Sequence, residues 1–284
     1  MFYTTCCMLA DFYPQTLERG DKNKKCEGRA FYMILTRLGN KRVIADKIIP
    51  LFPKHSIYVE PFFGAGGMYF SKRKADYNIV NDYDSEVYNL FTVVSNNCNE
   101  LEKAFLEFPI HQDLWEYWKK NQETEPIKKA IRFLFLSNYG YLGKPQTLAF
   151  GVDNQKNRFP ELLLKTNEML FIVQFANQDF NDFFKNLSRV KDKDVFIYCD
   201  PPYLGTNNNY QSGFCEDDTR QLFKLCIDSG HKFMISEFDH PLILELANEY
   251  KLNAIELMNR KNIKNTRLEV LITNYKNHAT LFDI

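Results

Sequence analysis

At residues 194–210 the chain reads DVFIYCDPPYLGTNNNY, an apolar run that ends in Asp200, Pro201, Pro202 and Tyr203. Proline ends a strand readily because it donates no ladder hydrogen bond. A bare turn is better served by Gly or Asn than by a tyrosine, so this corner has something to hold. The Asp200 carboxylate and the Pro201 carbonyl would be two acceptors at the C-terminal end of a strand, where open α/β sheets bind ligands. Two acceptors aimed at one point suit an amino group conjugated to a ring. Such an amine is a poor nucleophile, because its lone pair is delocalised; accepting both of its protons favours a pyramidal nitrogen. Pro201 and Pro202 would keep that geometry rigid. Tyr203 offers a surface on which a base turned out of a duplex could stack. A Pro-Pro strand terminator without a ligand is the plainer reading.

A second constellation lies upstream. YVEPFFGAGGMYF (58–70) has the order strand, glycine turn, helix start. Gly64, Gly66 and Gly67 permit positive φ and close approach of a ligand to the backbone, and helix-start amides would face that ligand. About twenty residues on, IVNDYD (79–84) ends another strand with Asp82 and Asp84. Asp82 is placed to reach ribose hydroxyls, whereas Asp84 also suits a helix cap. Glycine turn and carboxylate together describe a nucleotide site without separating NAD from S-adenosylmethionine. The amine-holding corner favours the second.

These groups need a scaffold. SIYVE (56–60), YNIVN (77–81), VFIYC (195–199), KFMIS (232–236) and LEVLIT (268–273) are strand candidates. Helical periodicity lies between them: DSEVYNLFTVV puts Val87, Leu90, Phe91 and Val94 on one face, and NKRVIADKII, DDTRQLFKLCID and HPLILELANEY supply further helices. This alternation predicts a parallel α/β sheet. The rhythm breaks at about 100–165, an aromatic, turn-rich stretch that reads as helices followed by a loop or hairpin.

The 284 residues, 45% hydrophobic and 25% charged, describe ordinary globular material. The N-terminus lacks a basic region before its apolar residues, so no signal peptide is expected. Residues 1–30 read as a mobile lead-in, with Met33 a plausible start. Seven cysteines without a C-x-x-C pair and five scattered histidines give no zinc spacing. Free thiols suit a cytoplasmic setting, and no metal is expected. Net charge is zero. However, NRKNIKNTR (259–267) carries Arg260, Lys261, Lys264 and Arg267 without an acid, which suggests either a solvated face or a phosphate contact.

EPFFGAGG followed by DPPY resembles the Dam-like alpha group of DNA adenine N6-methyltransferases, across about residues 30–275. RLGNKR (37–42) is similar to the family's N-terminal motif, which implies that Lys41 contacts the cofactor, with Arg37 standing where an aromatic is often found. NDYD matches the ribose motif through Asp82, and NQDF (177–180) the adenine motif through Asp179 and Phe180. Glu60, Pro61, Phe62, Gly64 and Gly66 would complete the cofactor site beside Asp200. SNYGY (137–141) resembles the start of the recognition region, and EVLITNY (269–275) the last strand.

The resemblance implies a Rossmann-like class I fold, a seven-stranded, mainly parallel sheet with an antiparallel last strand. Residues 31–99 and 166–284 would form the catalytic domain, and 100–165 an inserted, largely helical target-recognition domain. It also implies S-adenosylmethionine as methyl donor, direct in-line transfer without a metal, and duplex DNA as partner in a bacterial or phage setting. A cognate restriction endonuclease and a monomeric or weakly dimeric state belong to the same expectation. Tyr139, Lys144, Gln146, Asn154, Gln155, Lys156 and Arg158 are candidate base-edge or phosphate contacts. Trp115, Tyr117 and Trp118 read as core of the inserted lobe. The alternatives are an RNA adenine methyltransferase, a nucleotide-binding oxidoreductase that uses only the glycine turn, and a catalytically inactive DNA-binding module.

Overall fold

The computed structural model describes residues 33–37, 39–140, 146–149, 155–187, 189–190, 194–204, 214–261 and 266–276. The expected lead-in 1–30 and the candidates Lys144, Asn154 and Lys264 lie outside them. The described part of the chain is built on one seven-stranded sheet in the order β3-β2-β1-β4-β5-β7-β6. Its strands are β1 (Ile57–Glu60), β2 (Tyr77–Asn81), β3 (Val173–Ala176), β4 (Val195–Cys199), β5 (Lys232–Phe238), β6 (Asn253–Lys261) and β7 (Thr266–Thr273). The first five run parallel. β7 inserts antiparallel between β5 and β6. This order, with its reversed seventh strand, is the class I arrangement expected above. All five strands read from the sequence are present.

β1 and β4 are buried along their whole lengths, as strands covered on both faces must be. Tyr58, Val80, Phe196, Tyr198, Met234 and Leu271 face one core. Val59, Ile197, Cys199, Phe233, Ile235 and Ile272 face the other, beneath α7 (Phe180–Leu187), α8 (Glu216–Asp228) and α9 (Pro241–Glu249). The period-2 alternation of strand side chains thus divides each strand between two layers. The first core carries the short α1 (Ala45–Ile48), flanked by 3-10 turns, together with α2 (Ser85–Asn96), α3 (Cys98–Glu107), α4 (Gln112–Lys120), α5 (Pro126–Asn138) and α6 (Gln155–Leu170).

Capping fixes where these helices begin. The Asp84 carboxylate accepts from the Glu86 amide at 2.9 Å and starts α2. Glu125, followed by Pro126 at the first helical position, caps α5 through the Ile127 and Lys128 amides. The aromatic stretch becomes helices α3–α5, and where a loop or hairpin is expected the described residues include an antiparallel bridge between Gly140 and Leu148. The residues from 155 onward, read as loop, are instead the first turns of α6, which carries Pro160 within it. The boundaries drawn at 99/100 and 165/166 fall inside α3 and α6. Trp115 and Trp118 are buried and Tyr117 is exposed. Trp115 and Phe135 meet edge to face at 5.2 Å, and Phe105 stacks on Phe159 at 3.7 Å. Each such ring stabilises by about 1.5–3 kcal/mol on burial, so this lobe is held by apolar contact rather than by charge. Among the described residues, no helix is long and apolar enough to cross a membrane.

Candidate active site

β4 delivers Asp200 to the C-terminal edge of the sheet, and the corner after it is crowded with charge. The Lys41 ammonium, only 3% exposed, lies 2.9 Å from one Asp200 oxygen and 3.2 Å from Glu269 Oε1. It also donates to the Tyr203 hydroxyl and sits 4.1 Å from the centre of that ring. Lys41 reaches this position because the Asn40 side chain accepts from the Arg42 amide and starts a single 3-10 turn. Gly67 leaves room for Asn40, since a Cβ there would lie 2.0 Å from Asn40 Oδ1.

Behind Lys41, the Ser236 hydroxyl donates to Glu269 at 2.9 Å and the Tyr203 hydroxyl reaches Glu269 at 3.1 Å. Burial pushes the Asp200 carboxyl up and the Lys41 ammonium pulls it back. Nearby Glu237 is pushed up to about 8 by burial, despite accepting from the Phe238 amide.

A cavity of about 1030 Å³ opens in front of this corner, floored by Asp200 and Pro202 and walled by the glycine turn. Of the cofactor candidates, Arg37, Lys41, Glu60, Pro61, Phe62, Gly64, Asp82, Asp179, Phe180 and Asp200 line it; Gly66 does not. Gly64 has φ +54° with open space on its Cβ side, a conformation that costs other residues energy. Its amide donates to Asp82 at 2.6 Å, and the other Asp82 oxygen accepts from the Asp84 amide at 2.9 Å. Burial pushes Asp82 up to about 6, with both amides opposing the shift.

Gly66, also at positive φ, turns its missing Cβ toward Phe70 and Phe63, where a methyl group would lie within 2.7 Å of both rings. It serves the core beneath the turn. Glu60 is buried, receives the Tyr58 hydroxyl at 2.8 Å and is pushed up to about 8 by burial. Arg37 pairs with the cap residue Asp84 at 2.9 Å.

The aromatic residues divide between two tasks. Phe62, Phe180 and Phe214 form a mutually packed trio on the cavity wall, with centroids 5.7–6.0 Å apart. Tyr203, expected to offer a stacking surface, packs edge-on against Phe238 at 4.7 Å with its hydroxyl in the charged network, and does not line the cavity. Pro201 is buried and does not line the cavity either.

Two of the basic candidates are engaged within the chain. Lys156 donates to the Leu106 and Phe108 carbonyls at the end of α3. Arg267 donates to the Leu204 carbonyl at 3.2 Å and lies over Phe238. Tyr139 is buried against Phe108 and Phe135. Arg158 is exposed on α6, Gln155 begins that helix, and Gln146 lines the cavity. Arg260 and Lys261 lie on β6, paired with Arg267 and Thr266 of β7.

Sequence reading did not single out Glu269, Ser236, Glu237 or Phe214. Glu269 sits within a segment legible as a strand, where an acid among apolar residues is the visible signal. The others carry none.

The chain is 30% identical over 235 residues to the Retron Ec67 DNA adenine methylase of Escherichia coli, covering 76% of this chain and 81% of that protein. It is 26% identical over 258 residues to the DNA adenine methylase of Escherichia coli K12, covering 81% and 88%. It is also 24% identical over 273 residues to the type II methyltransferase M1.LlaDCHI of Lactococcus lactis, covering 84% and 94%. Among solved structures, the rRNA methyltransferase aviRa of Streptomyces viridochromogenes matches with TM-score 0.40 at 12% identity, over 84% of this chain and 89% of that one. Residues 38–266 match the family model described as D12 class N6 adenine-specific DNA methyltransferase, and the chain belongs to that family.

Proposed function

We propose that the protein transfers a methyl group from S-adenosylmethionine to the 6-amino group of an adenine turned out of duplex DNA, at a defined sequence. The observation that carries this reading is the sharing of one cavity by Asp200 and Pro202 with Asp82, Phe62 and Phe180. A nucleotide site and an amine-accepting site therefore lie next to each other.

The residues present fit such a donor. Glu60, Asp82 and Asp200 all have carboxyls that burial holds above their ordinary range, so a positively charged ligand would relieve them. When bound, the donor supplies a methyl group on a cationic sulfur. Gly64 leaves open space at the turn. Asp82, whose two oxygens each already take one amide, keeps lone pairs for ribose hydroxyls. Phe62, Phe180 and Phe214 offer an apolar wall for a purine. Asp200, held by Lys41, lines the cavity and offers its carboxylate to the amine. The protein's contribution is placement and preorganised charge.

Residues 100–165 would supply target recognition, with Gln146 at the cavity and Arg158 exposed on α6 as the candidate contacts with room for DNA. The name of the Lactococcus relative supports a restriction setting with a cognate endonuclease, and the chain would act as a monomer or weak dimer. Incubation with tritiated S-adenosylmethionine and unmethylated bacterial DNA, followed by methylation-aware sequencing, tests the proposal. N6-methyladenine at one short motif is the expected result. Equal labelling of single-stranded RNA, or none, would overturn it.

A further inference from the structure

Glu269 is fully buried, yet nothing in the reaction just described uses it. It enters from β7, in register with Phe238 of β5. Its Oε1 collects three donors from three other parts of the chain: Ser236 Oγ at 2.9 Å, the Tyr203 hydroxyl at 3.1 Å and Lys41 Nζ at 3.2 Å. A neutral acceptor would satisfy the two hydroxyls. A buried ammonium needs more, since removing it from water is costly unless anions surround it. Asp200 is one such anion, but it is 21% exposed on the cavity side. With Glu269 on its other side, Lys41 is held between the two carboxylates, 2.9 Å from Asp200 Oδ1.

Resting on the methyltransferase reading above, we infer that Glu269 is a positioning residue: it fixes Lys41 against Asp200 and holds the Tyr203 hydroxyl in the buried network, so that the cavity-lining side of the Asp200 carboxylate is presented to the amine. The groups facing Asp200 are Lys41 from the turn before α1, Glu60 from β1, Tyr198 and Tyr203 from β4 and its corner, Glu237 from β5 and Glu269 from β7. Among them Glu269 raises the proton affinity of Asp200. Losing its charge should therefore let Asp200 ionise at lower pH.

The test compares Glu269→Gln with the parent chain. The kcat for tritiated methyl transfer to unmethylated plasmid DNA should fall by about 10–100-fold, at or below the range for losing one preorganised partner. Calorimetric affinity for S-adenosylhomocysteine should stay within about twofold, as a group outside the cavity demands. The acid limb of the rate profile should move to lower pH. In urea unfolding of the unliganded protein, Glu269→Gln and Lys41→Met should give midpoint shifts that are not additive. An unchanged kcat with an unmoved acid limb, a loss confined to KM, or additive midpoints would overturn the inference. If Glu269→Gln does not fold, Ser236→Ala decides: a several-fold lower kcat with unchanged S-adenosylhomocysteine affinity supports it, and an unchanged kcat overturns it. A parent chain that transfers no methyl group at all would instead remove the reading on which it rests.

Discussion

Asp82 and Asp200 end two strands of one sheet, with only β1 between them, and both face the same cavity. They are held in place by different means. Asp82 is fixed by backbone amides, those of Gly64 and Asp84, which belong to the neighbouring turn and to its own. Asp200 is fixed by side chains, Lys41 and Tyr203 directly and Glu269 and Ser236 behind them, which arrive from four separate segments. The first carboxylate is thus a product of local chain geometry and tolerates change in distant residues. The second depends on the whole sheet being assembled. Damage to the Asp82 region should therefore appear in binding, and damage to the Asp200 region in turnover and folding together.

The sharpest break is Asp200→Ala. Methyl transfer should fall by about 10³-fold or more while affinity for S-adenosylhomocysteine changes little; tritium incorporation near the parent rate would return Asp200 to a turn residue. Lys41→Met comes next, because it leaves Glu269 buried without its cation. A loss of about 3–5 kcal/mol in urea unfolding is expected, with a large fall in kcat, and a stability equal to the parent's would show that the ion pairs do not hold the corner. Asp82→Ala should weaken S-adenosylhomocysteine binding by about 10–100-fold, the loss of one or two charge-assisted hydrogen bonds; an unchanged calorimetric Kd would remove Asp82 from the site.

Proton linkage sharpens the comparison further. Asp82 is raised to about 6 and Glu60 to about 8, so both gain negative charge as pH rises from 6 to 8. The cationic S-adenosylmethionine should then bind more tightly at pH 8 than at pH 6, while S-adenosylhomocysteine, which lacks the sulfonium charge, gains less. Parallel titrations of the two ligands check this, and equal slopes would refute it. The same shift acts on stability with the opposite sense. A carboxyl raised by folding costs nothing below its unfolded pKa and costs increasingly as pH rises toward 8, because the unfolded chain releases its proton first. Glu60→Gln should accordingly gain stability relative to the parent across that interval. The smallest effect expected is in DNA affinity. Arg158→Ala should reduce the salt dependence by about one phosphate contact, and Arg267→Ala by less, because its guanidinium already serves the Leu204 carbonyl.

This division also explains what was legible in the sequence. Strands β1, β2, β4, β5 and β7 carry runs of apolar or β-branched residues that betray them directly. β3, four residues at the sheet edge with mixed burial, has no such run. β6 reads as a basic tract because its end, NRK, is polar. Asp82 and Gly64 could be paired from spacing alone, because a turn and the next strand end lie close along the chain. Lys41, Asp200, Tyr203 and Glu269 span more than two hundred residues, and no spacing rule links them. The strand-ending DPPY located Asp200 and Tyr203 and the resemblance to a known family located Lys41, but neither gave the direction in which Tyr203 turns. The expected stacking surface is committed to Phe238 and to a buried hydroxyl network. Gly66 likewise looked like a ligand-facing glycine and instead makes room for Phe63 and Phe70.

The reversed seventh strand bears on how the protein comes into being. β7 lies between β5 and β6, and among the described residues β6 joins the sheet only through β7. Glu269 travels on that strand. Until it docks, Lys41 lacks one of its two carboxylate partners, and a chain halted before residue 266 would carry the glycine turn and DPPY yet lack Glu269. If Glu269 positions Lys41 as inferred above, the corner is complete only once this last strand is in place.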